Sequence, residues 1–143
     1  MSQQYSTFIV DGLLFGVDVT RVQEVIRFQT MTPVPRAPEV VRGLINLRGQ
    51  IVTALDLRVR LGLTPAAANA QPMNVVVRTD EGAVAFLVDA IGDVVTVDET
   101  AWEPAPATLV ASVRELIPGA YKLDDRLLLQ LDVDAALGTA VAA

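Results

Sequence analysis

Carboxylates are the chain's main raw material for acid–base or metal chemistry: Asp89, Asp93 and Asp98 fall close together, and Asp124 and Asp125 are adjacent. General acid–base work needs two groups whose surroundings push their pKa values apart, and a hard cation needs several oxygens converging from one loop. The spacing around Asp89 lacks the alternating Asp/Asn and central Gly of a calcium loop, so turn and surface roles are expected, with Asp124 and Asp125 in a hairpin turn. There is no histidine and no cysteine, which removes the commonest general base near neutral pH, the commonest metal ligand and every thiolate. The phosphate loop GxxxxGKS/T, a GxGxxG after a strand and a GxSxG elbow are all missing from the sequence. Neither an enzyme nor a cofactor or metal site is expected.

Arg48 asks for a different chemistry. It interrupts an apolar strand at a glycine turn within residues 43–57, GLINLRGQIVTALDL. Such an arginine can snorkel or cap carbonyls, or it can stand beside exposed apolar surface as a charge-specific anchor for another protein. Asn46 has the same two readings, turn support or part of a recognition face. Sequence chemistry leaves both pairs open.

The elements that must position these residues are mostly strands. Residues 6–10 and 13–19 are β-rich runs joined by Asp11-Gly12, a pair suited to a tight hairpin. Thr20 is placed to cap a helical turn over 21–24, followed by extended chain over 25–32. Pro33, Pro35 and Pro38 remove three backbone donors, so 32–39 reads as a loop or sheet edge. Strands are expected at 43–47 and 50–55, then a short helix at 57–61 capped by Asp56 and stopped by Gly62. Residues 64–72, rich in Ala and Pro, form a connector and a candidate boundary.

The second half reads similarly: strands at 73–78, 83–88 and 94–97, a turn at 80–82, a loop over 102–107, and a strand within 110–120 broken at Pro118-Gly119. A strand at 127–131 and a helix from Asp132 through Leu137, ended by Gly138, complete it. Residues 8–10 and 17–18 are echoed by 75–77 and 88–89, and 22–26 by 91–95. Either duplication or the general likeness of β-hairpins explains that echo.

Charge excludes some partners. The net charge is −6; residues 1–72 carry about +2 and residues 73–143 about −8. Phosphate backbones and anionic lipid surfaces need clustered positive charge, so nucleic-acid binding is not expected. The asymmetry fits either head-to-tail contacts between basic and acidic faces or simple uneven solvation. The first residues lack a signal peptide's basic start and apolar stretch, and no apolar run reaches the ~18 residues of a spanning helix. A cytoplasmic location without direct membrane insertion is therefore the expectation.

Residues 43–57 resemble the CheW family pattern, in which a Gly and two apolar residues precede Asn-Leu-Arg-Gly and a second apolar strand ends in Asp-Leu. Phe15 to Val19, Val22 to Ile26, Leu87 to Asp89, Asp93-Val94 and Asp125 to Leu129 are similar to further family blocks, so the resemblance spans nearly the whole chain. It implies an all-β fold of two intertwined five-stranded SH3/OB-like β-barrels with a few short helices. One domain over 1–143 is implied, with an approximate internal repeat at 5–63 and 73–138 and with exchanged terminal strands as an option.

The function implied is a noncatalytic scaffold, recruited to membrane-associated arrays, that couples the signalling tip of a chemoreceptor (a methyl-accepting chemotaxis protein) to the regulatory domain of the histidine kinase CheA. By position, the resemblance assigns partner binding to Val19, Val22, Glu24, Val25, Gly43, Asn46, Arg48, Gly49, Val75 and Val94. Thr53-Ala54 and Ala90 depart from frequent family residues and leave the choice of pathway open. The competing reading is a generic small β-barrel module that binds a ligand in another assembly.

Overall fold

The computed structural model describes residues 2–67, 69–80 and 82–138. The chain opens with a hairpin, β1 (Ser2–Val10) and β2 (Leu13–Asp18), turning at Asp11-Gly12 as expected. Then follow β3 (Val22–Ile26), β4 (Val41–Leu47), β5 (Gln50–Asp56) and the short α1 (Leu57–Arg60). After the connector come the hairpin β6 (Met73–Thr79) and β7 (Gly82–Val88), then β8 (Ala90–Asp98) and β9 (Trp102–Pro104). The series ends with α2 (Ala111–Arg114), β10 (Gly119–Lys122), β11 (Leu127–Gln130) and α3 (Val133–Leu137). Of the turn read at 80–82, Glu81 lies outside the described residues.

Two sheets result, one ordered β8-β1-β2-β11-β10-β9 and the other β3-β6-β7-β5-β4. Each takes a hairpin from the other half of the chain. The pair β1–β2 lies between β8 and β11, while β6–β7 lies between β3 and β5. In both places the outer strand of the hairpin meets one neighbour antiparallel and the other parallel: β2 runs parallel to β11 with Phe15 opposite Leu129, and β7 runs parallel to β5 with Phe86 opposite Leu55.

The period-2 alternation of these strands explains the packing. Phe8, Val10, Phe15 and Val17 from one sheet meet Leu55, Val75, Val77 and Phe86 from the other in a central core. The alternate residues fill a smaller core on the far face of each sheet: Ile45, Leu47, Val52, Val76 and Leu87 in one, Tyr5, Leu14, Val97, Tyr121 and Leu128 in the other. Because most strands are covered on both faces, they read as near-continuous apolar runs.

The all-β expectation with short helices matches the structure, and three local readings are corrected. The turn before β3 is a single 3-10 turn, Val19–Arg21, and its cap is Asp18, whose carboxylate accepts from the Thr20 N–H at 2.9 Å and the Thr20 hydroxyl at 2.8 Å. Thr20 is thus the capped residue, and 22–24 is free to extend as β3. Part of the expected strand within 110–120 is α2, because Val110, Val113 and Leu116-Ile117 recur at helical spacing and Val113, Leu116 and Ile117 turn into the core. Residues 102–104, read as loop, form β9, giving that sheet a sixth strand. Gly119 permits it: a side chain there would overlap the Trp102 indole, which lies across the glycine and donates Nε1–H to Gln130 Oε1 at 2.8 Å.

Candidate functional site: an exposed hairpin tip and its neighbouring edge strand

Residues 43–57 form the β4–β5 hairpin, with Asn46 opposite Ile51 and Leu47 opposite Gln50. The loop is therefore two residues, Arg48 and Gly49, and both have positive φ, 54° and 87°. That pattern belongs to the type I′ turn, whose twist matches the flanking strands. Glycine enters it freely, whereas arginine at positive φ costs about 1–2 kcal/mol. Asn46 supports the turn, its Oδ1 accepting from the Gly49 N–H at 3.0 Å. Alternation buries Gly43, Ile45, Leu47, Val52 and Ala54 and turns Asn46 and Ile51 outward, leaving Ile51 63% exposed.

The Arg48 guanidinium forms an ion pair with the carboxylate of Glu24 on β3. Strands β3 and β4 are the two edges of their sheet, and in a flat sheet four strand spacings of ~4.8 Å would hold them beyond the reach of one side chain. The sheet must curl until its edges approach, and the bridge between Thr32 and Leu44 adds chain along the β4 side. Gly43 lets this segment close in, since a side chain there would come 2.8 Å from the Thr32 carbonyl oxygen. Arg48 stays 69% exposed and Glu24 20%, so the pair stabilises the fold by only about 0–1 kcal/mol.

The other expected positions divide. Val22 and Val25 lie on β3 beside Glu24, half-buried, and Val19 sits in the 3-10 turn that leads into it. A register shift between Val22 and Glu24 re-aims the strand at that point. Val75 is fully buried in the central core, so its side chain is not on the surface. Val94 is 56% exposed but lies on β8, an edge of the other sheet. Glu24, Asn46, Arg48 and Gly49 therefore come together, whereas Val22 packs against the central core and Val25, opposite Val75, lies on the other face of β3 from Glu24; Gly43 and Val75 are buried, and Val94 stands apart. Ile51 was missed; its position one step out of phase with Val52 and Ala54 was the available signal.

The carboxylates are dispersed and structural. Asp89 accepts from Arg58 at 2.9 and 2.6 Å, and that guanidinium holds its carboxyl below the usual range although burial works against it. Asp98 caps a turn through the Thr100 N–H, which likewise lowers its pKa. Asp124 and Asp125 sit in the β10–β11 turn, as expected. Asp56 caps α1 and pairs with Arg42 at 3.0 Å. Among the described residues no three acids gather as a metal site would need.

A cavity of about 330 Å³ opens beside Gln3, Asp18, Arg21 and Gln130. Polar groups on its wall are already bonded: Gln3 to Asp18 at 2.6 Å, Gln130 to Trp102 and to Tyr5, and Arg21 to Asp134.

Comparison with known proteins agrees with this architecture. The family model described as a CheW-like domain matches residues 4–141. The chemotaxis protein CheW of Bacillus subtilis is 32% identical over 130 residues, covering 91% of this chain and 83% of that protein. The chemotaxis protein CheW of Klebsiella aerogenes is 27% identical over 139 residues, covering 97% and 84%. Among solved structures, the crystal structure of the scaffolding protein TtCheW from Thermoanaerobacter tengcongensis superimposes with a TM-score of 0.81 at 28% identity, covering 92% of this chain and 89% of that one. A family match over nearly every residue, joined to this close structural superposition, establishes that this chain belongs to the CheW family.

Proposed function

We propose that this chain is a noncatalytic adaptor that couples the cytoplasmic tip of a chemoreceptor to the regulatory domain of the histidine kinase CheA, and that these contacts recruit it to membrane-associated receptor arrays. The observation that carries the reading is the Arg48–Glu24 pair: a strained arginine at an exposed hairpin tip, tied across the curled sheet to β3, beside the exposed Ile51. An exposed pair that adds about 0–1 kcal/mol does little for stability. Recognition accounts for it better, since charge pairs select and orient a partner while apolar neighbours supply affinity.

In this reading the accessible parts of Val19, Val22 and Val25 accept the apolar face of a receptor helix, and Glu24 and Arg48 set its orientation. Val94 serves a separate contact on the six-stranded sheet, and Gly43 and Val75 act by holding the face in shape. Capping and ion-pairing by the acids support a noncatalytic role. The reciprocal exchange of β1–β2 and β6–β7 supports an internal repeat, 5–63 and 73–138, within one unit. The test is binding of a receptor signalling-tip fragment and a kinase regulatory domain to the wild-type chain and to Arg48→Glu. Loss of binding with an unchanged unfolding temperature is expected; binding by Arg48→Glu equal to wild type refutes the role given to Arg48.

A further inference from the structure

The central core is apolar, so its attraction is non-directional, and hydrogen-bonded ions across it add direction to the packing. Among the described residues, arginines tie the two halves at two places, and Arg60 of α1 adds a third link by donating to the Ala136 and Ala135 carbonyls of α3 at 2.9 and 2.8 Å. At the first, Arg58 of α1 grips both carboxylate oxygens of Asp89 and donates Nη1–H to the Thr64 carbonyl at 2.8 Å. Asp89 also accepts the Asp11 N–H at 2.8 Å, and the Asp11 carboxylate stands 3.6 Å from Arg58. A guanidinium in the five-stranded half thereby holds the β1–β2 turn of the six-stranded sheet.

At the second place, Arg21 donates to Asp134 of α3 at 3.1 Å and to the Arg78 carbonyl of β6 at 3.1 and 3.2 Å. Arg78 in turn donates to the Thr20 and Val22 carbonyls at 3.1 and 3.0 Å. Asp11 precedes β2 and Arg21 follows it, so at ~3.3 Å per residue the ties stand roughly 20 Å apart. A single tie is a pivot. Two at that separation oppose rotation of one sheet on the other.

We infer that Arg58 and Arg21, with Arg60 between α1 and α3, are positioning residues which together set the angle between the two sheets, and hence between the Glu24–Arg48 face on one and the β8 surface around Val94 on the other. The planar guanidinium fork suits this, because it fixes direction where an ammonium would supply only charge. Arg58 is 18% exposed against 69% for Arg48, so solvent screens its pairing far less. A scaffold with two contact faces transmits orientation only when the angle between them is held. That consequence rests on the adaptor reading; the angle itself does not.

The sequence contains no cysteine, so Ile51→Cys on β5 and Thr96→Cys on β8, both exposed, give a clean spin-label pair across the sheets. Double electron–electron resonance on the otherwise wild-type chain should give one narrow distance distribution. Arg58→Lys and Arg21→Lys, which keep the charge and lose the fork, should each broaden or shift it by about twofold in width, with circular dichroism and Trp102 emission unchanged. Asp89→Asn offers a second break of the first tie should Arg58→Lys fold poorly. Distributions superimposable on wild type in these folded variants overturn the inference, whatever the partners do. Altered distances in the labelled chains with unaltered assembly of the corresponding unlabelled, cysteine-free variants on receptor and kinase fragments uphold the angle and count against the adaptor reading.

Discussion

Replacing Arg48 by glycine separates recognition from stability. The change removes an ion pair worth about 0–1 kcal/mol and relieves a positive-φ penalty of about 1–2 kcal/mol. It also adds about 0.5–1 kcal/mol of unfolded-chain entropy. With φ at 54° and the guanidinium 69% exposed, these terms nearly cancel, so Arg48→Gly should unfold within about 1 kcal/mol of wild type, or about 3 °C in a domain of this size. Arg48→Ala, which keeps the strain and loses the pair, should be the less stable of the two. Thermal denaturation followed by circular dichroism measures both, alongside binding to receptor-tip and kinase fragments. A drop of several degrees in Arg48→Gly that parallels its loss of binding would falsify the assignment of Arg48 to recognition and make it a structural residue.

Acidification should weaken the fold as Asp89 titrates: its folded pKa is depressed by Arg58, so the stability it contributes is full above its unfolded value near 3.9 and is lost as pH falls through the lower folded value. The acid limb of an unfolding-temperature profile should therefore flatten in Asp89→Asn; an identical profile contradicts the linkage. Gly119→Val should displace the Trp102 indole and cost about 1–3 kcal/mol, with a shifted tryptophan emission; unchanged emission and melting would show that the indole does not need the glycine. Residues 22–88, which build the five-stranded sheet, carry about +2, while the remainder carries about −8. Assembly of adaptor with its partners should accordingly fall with rising salt more than folding does, and sedimentation that is the same at low and high salt removes this refinement.

Sequence reasoning reached the strands well because their determinants are local: Asp11-Gly12 and Arg48-Gly49 announce hairpins, and Asp56 and Asp132 announce α1 and α3. It failed where distant contacts decide. Trp102–Pro104 is a strand only because β10 offers an edge and Gly119 offers room, neither of which is visible from residues 102–107. Residues 111–114 became helix because their apolar spacing serves the core, overriding the β-branched character of Val110 and Val113. At the candidate site, the Asn46–Arg48–Gly49 cluster was legible as a motif, but the choice between a carbonyl-capping and an exposed Arg48 needed the curl of the sheet that brings Glu24 within reach. Val75 carries the opposite lesson, since a family position on a strand says nothing of which face it occupies, and here it is inward.

The most direct test of the adaptor account is sedimentation of the wild-type chain with receptor-tip fragments and a kinase regulatory domain, alone and together. This chain should bind each, and a larger assembly should form only when it is present. Direct association of receptor and kinase fragments to the same extent without it, or failure of the folded chain to bind either, would contradict the account.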